Sequence, residues 1–192
     1  VPLRHRGVQN LAASGQTGLD FDGVQDPAPI KQIPFDDALP LLRDVFEDPA
    51  ILKIGHNLKY DSHVLLRPAN GGIKMYPVDD TMCLSYILDT GVVNRHSMDY
   101  LADHWLDYQT IKYEDVCGKG AKQVSFATIS PDAALDYAAE DADITLRLWK
   151  ILKPRLAGSG VASVYERLER PLIPVLAHME SRGIIVEQSI LA

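Results

Sequence analysis

Apolar positions recur along this chain mostly at the 3.6-residue spacing of helices, interrupted by short apolar runs of strand length. Phe35 to Glu47 is amphipathic and predicts a helix with Leu39, Leu42 and Phe46 inward. Ile51-Leu52-Lys53-Ile54 predicts a short buried strand, followed by a turn at Gly55 and a helix opening at Asn57 as N-cap. Gly71-Gly72 turns the chain into a second short strand near Ile73 to Tyr76, and a helix then runs from Asp80 to before Gly91. Ser97 caps a helix bearing Met98, Leu101 and Trp105. After a looser stretch, Ser130-Pro131 opens a long helix whose apolar stripe continues through Trp149 and Leu152. Gly158-Ser159-Gly160 breaks the chain before a last helix ending at Gly183, where Pro171 and Pro174 fit a kinked connector. Leu11 to Pro29, rich in Gly, Ser and Asp, reads as a long surface loop.

Inside the long helix, Tyr137-Ala138-Ala139-Glu140-Asp141-Ala142-Asp143 sets a phenol and a carboxylate four residues apart, hence on one face. A carboxylate can hold a divalent metal, a neighbouring hydroxyl can orient a water attacking phosphorus, and the alanines let a nucleic-acid backbone come close. Taken alone, the pair reads more simply as a packed ring and a solvated charge. Asp61 falls about one turn into the helix that opens at Asn57 and shares a face with Leu58 and Leu65. Its charge interrupts the apolar stripe on the inward side or at the rim, and needs a cation, a donor or open solvent there. A metal ligand and a rim carboxylate satisfied by water both fit. Asp80, followed by Thr81 and a helical run, reads as an N-cap before it reads as a ligand. His56 and His63 lack a second His or Cys at ligand spacing and read as hydrogen-bonded surface histidines.

Asn57-Leu58-Lys59-Tyr60-Asp61 and the segment from Tyr137 to Asp143 resemble the second and third exonuclease motifs of bacterial DNA polymerase I proofreading domains, within the ribonuclease H-like exonuclease superfamily. The resemblance extends through Asp80-Thr81-Met82, Ser85 to Leu88, His96 to Ala102, Gly118-Lys119-Gly120 and Glu169 to Leu176, and so covers most of the chain from about Pro34 onward. It implies an α/β ribonuclease H-like fold, a mixed sheet flanked by helices, with residues 1–157 as a 3′-5′ exonuclease domain and 158–192 as a connector leading toward a polymerase domain. By the same resemblance Asp141 is a direct ligand of the tighter metal and Asp61 serves the second, through water. Tyr137 holds the attacking water, and Phe126 and Asn57 touch the strand. Mg2+ or Mn2+ suits such all-oxygen ligands. From its own sequence context, Phe126 equally reads as a ring pinning a loop to the core.

The family's first motif, an Asp-x-Glu on the opening strand, has no match here. Val1-Pro2-Leu3-Arg4-His5 reads as the tail of the third strand, with the earlier N-terminal strands missing, and the nearest substitute, Asp20-Phe21-Asp22, reads as loop. The expectation is therefore a weakened metal site, an inactive chain as it stands, and an exposed sheet edge open to self-association.

Composition sets the remaining bounds. The 192 residues, 46% hydrophobic and 23% charged, describe a globular domain with a core, with no apolar run long enough to span a bilayer. Cys83 and Cys117 have no metal-ligand spacing and fit free thiols in a reducing cytoplasm. A net charge of -7 argues against broad electrostatic capture of duplex DNA. It is compatible with holding a few nucleotides at the 3′ end of a single strand, where Lys112, Lys119 and Lys122 near Phe126 form a patch that Glu114 and Asp115 dilute. Two other functions stay open: an RNA-trimming exonuclease similar to ribonuclease D, and a non-catalytic nucleic-acid-binding or structural module.

Overall fold

The computed structural model describes His5 and residues 32–191; Asp20, Asp22 and the loop expected from Leu11 to Pro29 lie outside the described residues. The chain divides into two compact units. One takes the described residues up to Ala38 together with Ile111–Asp141, and the other Leu39–Thr110 together with the chain from Ala142 onward.

The larger unit is organised around a β-α-β crossover. Strand β1 (Lys53–Gly55) leads through helix α2 (Leu58–Leu66) to strand β2 (Val78–Asp80), and the strands pair in parallel with Lys53 opposite Val78 and Gly55 opposite Asp80. Parallel neighbours need such a crossover because a tight hairpin cannot reverse the chain twice. Helix α1 (Phe35–Phe46) precedes it, and α3 (Thr81–Asp89) and α4 (Met98–Leu106) follow. The main core gathers Leu84, Val93, Leu101 and the fully buried Tyr165 around Ile144, Leu148, Leu152 and Leu156, the i, i+4 stripe of the long helix α6 (Pro131–Ser159). After α7 (Ala162–Val164) the chain forms one π-helical turn, Tyr165–Glu169, then α8 (Arg170–Arg182) and the short α9 (Gln188–Leu191). A second cluster joins Leu58 of α2, Val78 of β2 and Ile173 of α8.

Two strand expectations shift. The first strand starts at Lys53, with Ile51 and Leu52 exposed and the lysine buried. The Lys53 ammonium donates to the carbonyls of Asp48, Ile51 and Tyr76 at 2.6, 2.7 and 2.7 Å. It thereby satisfies backbone acceptors that an apolar side chain would leave unpaired. The second strand lies at Val78–Asp80, beyond the expected Ile73 to Tyr76, because Lys53 N–H donates to Pro77 O and ladder pairing begins only after that proline.

Gly55 ends β1 where α2 crosses close to it: a Cβ there would lie 2.1 Å from Leu58 Cδ2. Leu58 is buried in the second cluster. Gly55→Ala should therefore destabilise the unit by about 1–3 kcal/mol through overpacking. An unchanged urea midpoint would show instead that Leu58 moves aside at no cost.

The smaller unit contains α5 (Tyr113–Cys117), two 3-10 turns at Gly120–Lys122 and Phe126–Thr128, and the first part of α6. Cys117, Ile129 and Ala134 form its buried centre, with Val116, Val124 and Phe126 packed against it. His5 bonds to Ile129 O through Nδ1 at 2.8 Å and exchanges two hydrogen bonds with the Gln32 side chain. Ser130 Oγ accepts from Ala133 N–H and so caps α6 as its sequence predicts. Both cysteines are free thiols. No described helix is long and apolar enough to cross a membrane.

Candidate functional site

In the smaller unit, Tyr137 and Asp141 stand one turn apart on α6, both half-buried. The Tyr137 ring lies 5.9 Å from that of Phe126 and 6.3 Å from that of Tyr113, and Phe126 and Tyr113 stack at 6.3 Å with 25° between their planes. Phe126 thus packs on the local core, as its sequence context suggests, and also belongs to an aromatic group around Tyr137. His5, Phe126, Pro131, Asp132, Ala134, Leu135 and Ala138 line an open groove of about 260 Å³ in this unit. Glu140, between Tyr137 and Asp141 in sequence, accepts Ile111 N–H at 2.8 Å and anchors the segment entering α5. The lysine patch is partly neutralised, since Lys119 pairs with Glu114 at 2.9 Å, and Asp115 accepts the Lys112 N–H to start α5.

In the larger unit, Asp61 lies in the first turn of α2 and is exposed, while Leu58 and Ser62 take the inward positions. Its carboxylate thus lies at the rim of α2 and not on the inward side, a position open to solvent. Protein mass around the carboxyl, and next the charge of Asp80, push its pKa above the usual carboxylate range. A group whose folded pKa is raised contributes stability at low pH and loses it as pH rises through that pKa. Asp61→Asn should therefore leave the chain as stable or slightly more stable at pH 7, by tenths of a kcal/mol at most because the group is solvent-screened. The gap should shrink toward pH 3. Urea midpoints at pH 3 and 7 measure it, and a variant less stable at pH 7 contradicts the reading.

Asn57 does precede α2, but its φ of 61° places it in the left-handed region and its side chain makes no capping bond. The cap comes from Asp80, 23 residues away in sequence. Asp80 Oδ1 accepts the N–H of Asn57 at 3.1 Å and Oδ2 that of Leu58 at 2.7 Å. The same carboxylate accepts Met82 and Cys83 N–H at 2.8 and 3.3 Å, the expected cap of α3. One buried anion therefore opens two helices, where a backbone N–H array favours negative charge. Burial, and then the charges of Asp80 and Glu169, push the Cys83 thiol up to about 12, which leaves it unreactive. His56 is half-buried, with Nδ1 2.9 Å from Thr81 Oγ1 and its pKa lowered chiefly by burial. It is more enclosed than a surface histidine. His63 matches its expectation, pairing with Glu180 of α8 at 2.7 Å beside Lys59 at 2.6 Å.

Asp79 is the residue the sequence reading missed. It is 1% exposed and accepts Trp149 Nε1–H at 2.8 Å, the Tyr165 hydroxyl at 3.1 Å and the Lys153 ammonium at 3.0 Å. The consecutive acids Asp79-Asp80 at a strand end were the available signal.

Asp61 and Asp141 are hard oxygen donors of the kind Mg2+ or Mn2+ prefers. Asp79 and Asp80 have their oxygens engaged by protein donors. Among the described residues no group of three or more His, Cys, Asp or Glu side chains lies close enough to hold a metal ion.

A family model described as 3′-5′ exonuclease matches residues 13–157. The chain belongs to this 3′-5′ exonuclease family and is a nuclease domain. DNA polymerase I of Rhizobium leguminosarum is 49% identical over 193 residues, an alignment covering all of this chain and 17% of that protein. The chain therefore spans under a fifth of that relative's length. Among solved structures, Brucella melitensis NrnC bound to pGG superposes with a TM-score of 0.62 at 27% identity, over 75% of this chain and 65% of that one. Brucella melitensis NrnC with bound Mg2+ gives 0.58 at 25% identity, over 74% and 64%. The fold is the α/β ribonuclease H-like exonuclease fold; among the described residues its sheet is the two-stranded parallel β1–β2 pair.

Proposed function

We propose that this chain is the proofreading module of a DNA polymerase I, removing nucleotides from the 3′ end of single-stranded DNA by hydrolysis at two divalent cations, Mg2+ or Mn2+. The observation that carries this reading is the Tyr137–Asp141 pair on one face of α6, beside the rings of Phe126 and Tyr113, in a chain of an exonuclease family. Asp141 supplies a direct oxygen ligand and Asp61 acts on the second cation through water. The Tyr137 hydroxyl orients the attacking water in line with the scissile phosphate. Phe126 and Tyr113 offer ring faces to unstacked bases, a sequence-tolerant grip suited to a single strand, and Asn57 contacts the strand. When bound, the cations offset charge on the phosphate and ease deprotonation of water. Residues 158–192 connect to a polymerase portion.

Only Asp61 and Asp141 match the carboxylates the family's site employs, so the 192-residue chain should bind catalytic metal weakly. Each missing anionic oxygen lowers affinity for a hard cation. Purified chain incubated with 3′-labelled single-stranded DNA and Mn2+ should leave the label largely in place, and sedimentation tests self-association through the sheet edge. Robust metal-dependent trimming would show that another carboxylate completes the site.

The likeness to NrnC bound to pGG favours a second reading, trimming of RNA ends. Digestion of matched DNA and RNA strands by a polymerase-length chain carrying this domain separates the two. Preference for DNA supports proofreading, preference for RNA supports the alternative, and cleavage of neither returns the domain to a binding role.

A further inference from the structure

Asp80 caps the N-terminal end of the helix that carries Asp61. It is 2% exposed, and its two oxygens accept four backbone N–H groups, two from the turn opening α2 and two from α3. A carboxylate so engaged has little capacity left to bind a cation. Its own N–H donates to the Tyr165 hydroxyl at 3.2 Å, and that hydroxyl donates onward to Asp79 at 3.1 Å. Tyr165 opens the π-helical turn leading into α8, and π-turns often mark functional positions. Thr81 adds a tie by donating to Gly55 O at 3.1 Å. The start of α2 is thus held from β2 and, through Tyr165, from the segment that follows α6.

We propose that Asp80 is a positioning residue for Asp61, setting the first turn of α2 so that the Asp61 carboxylate meets its cation, with Tyr165 holding Asp80 in turn. This rests on the proposed role of Asp61. Groups that orient ligands without touching the metal typically change metal affinity or activity by about 10–100-fold when removed.

Asp80→Asn keeps the side-chain shape but turns one acceptor into a donor facing backbone N–H groups. In the 192-residue chain without metal, it should speed amide hydrogen exchange at Asp61 and Ser62 while leaving Leu148 and Leu152 protected. In a polymerase-length chain, it should raise the Mn2+ concentration for half-maximal trimming roughly tenfold, with an unchanged KM for DNA and recovery at high Mn2+. Unchanged exchange together with an unchanged Mn2+ requirement overturns the proposal, as does a rate loss that Mn2+ does not restore. Should Asp80→Asn not fold, Tyr165→Phe decides. It removes only the hydroxyl behind Asp80, and a higher Mn2+ requirement supports the proposal while an unchanged one overturns it. Asp61→Ala separates the two readings. If it leaves trimming intact, the metal role of Asp61 fails and this proposal with it; if it abolishes trimming while Asp80→Asn is silent, the positioning role alone fails.

Discussion

Asp141→Ala, in a polymerase-length chain carrying this domain, should lower 3′-to-5′ cleavage by about 10³-fold or more while leaving nucleotide incorporation near its starting rate. The size follows from what a direct ligand does. It holds the charge that stabilises developing negative charge at phosphorus, and water replacing it neither fixes the geometry nor supplies the anion. Asp141 is half-buried on α6, so alanine also removes packing and polar contacts. Asp141→Asn separates these effects because it keeps shape and most hydrogen bonding but not the charge. Loss of cleavage in both variants supports the ligand role, whereas loss in the alanine variant alone would assign Asp141 to structure. Tyr137→Phe should cost less, since water still reaches the phosphate without the hydroxyl to aim it.

How much of this was legible in the sequence depended on how local each cause was. Helix α6 was legible because its start, Ser130-Pro131, and its i, i+4 stripe are local signals. The cap of α3 by Asp80 was equally local. Its second duty was hidden, since Asn57 occupies the position where an N-cap side chain is expected and the actual acceptor comes from the next strand. The apolar run placed the start of β1 two residues early, because it reads Ile51 and Leu52 as buried. At Lys53 three converging carbonyls reward the ammonium for going inward. Within the candidate site, the Tyr137–Asp141 spacing was readable, and the family resemblance brought in Phe126. The ring contacts of Tyr113 with both Phe126 and Tyr137 depend on the fold of α5 and the turns after it, which carry no periodic signal.

Asp79 is the extreme case of a distant cause, because its partners Trp149, Lys153 and Tyr165 lie 70, 74 and 86 residues further along the chain and the adjoining acid Asp80 is its one local trace. Asp79→Ala should be the most destabilising single change in the larger unit, costing about 3 kcal/mol. The loss has two sources. Trp149 Nε1–H and the buried Tyr165 hydroxyl would lose their acceptor, and desolvated donors without partners are costly. Lys153 and Arg170 would keep Glu166, at 2.7 and 2.5 Å, which limits the electrostatic part. Asp79→Asn preserves one acceptor and the side-chain volume, so it should cost only about 1 kcal/mol. Because domains of this kind are stable by only about 5–15 kcal/mol, the alanine variant should show a clearly lower guanidinium midpoint by circular dichroism. Tyr165→Phe combined with Asp79→Ala should cost less than the two changes separately, since each removes the same hydrogen bond. A midpoint for Asp79→Ala equal to that of the unaltered chain would mean that Trp149, Tyr165 and Lys153 find other partners, and that the tie from β2 to α6 and the π-turn contributes nothing to holding the unit together.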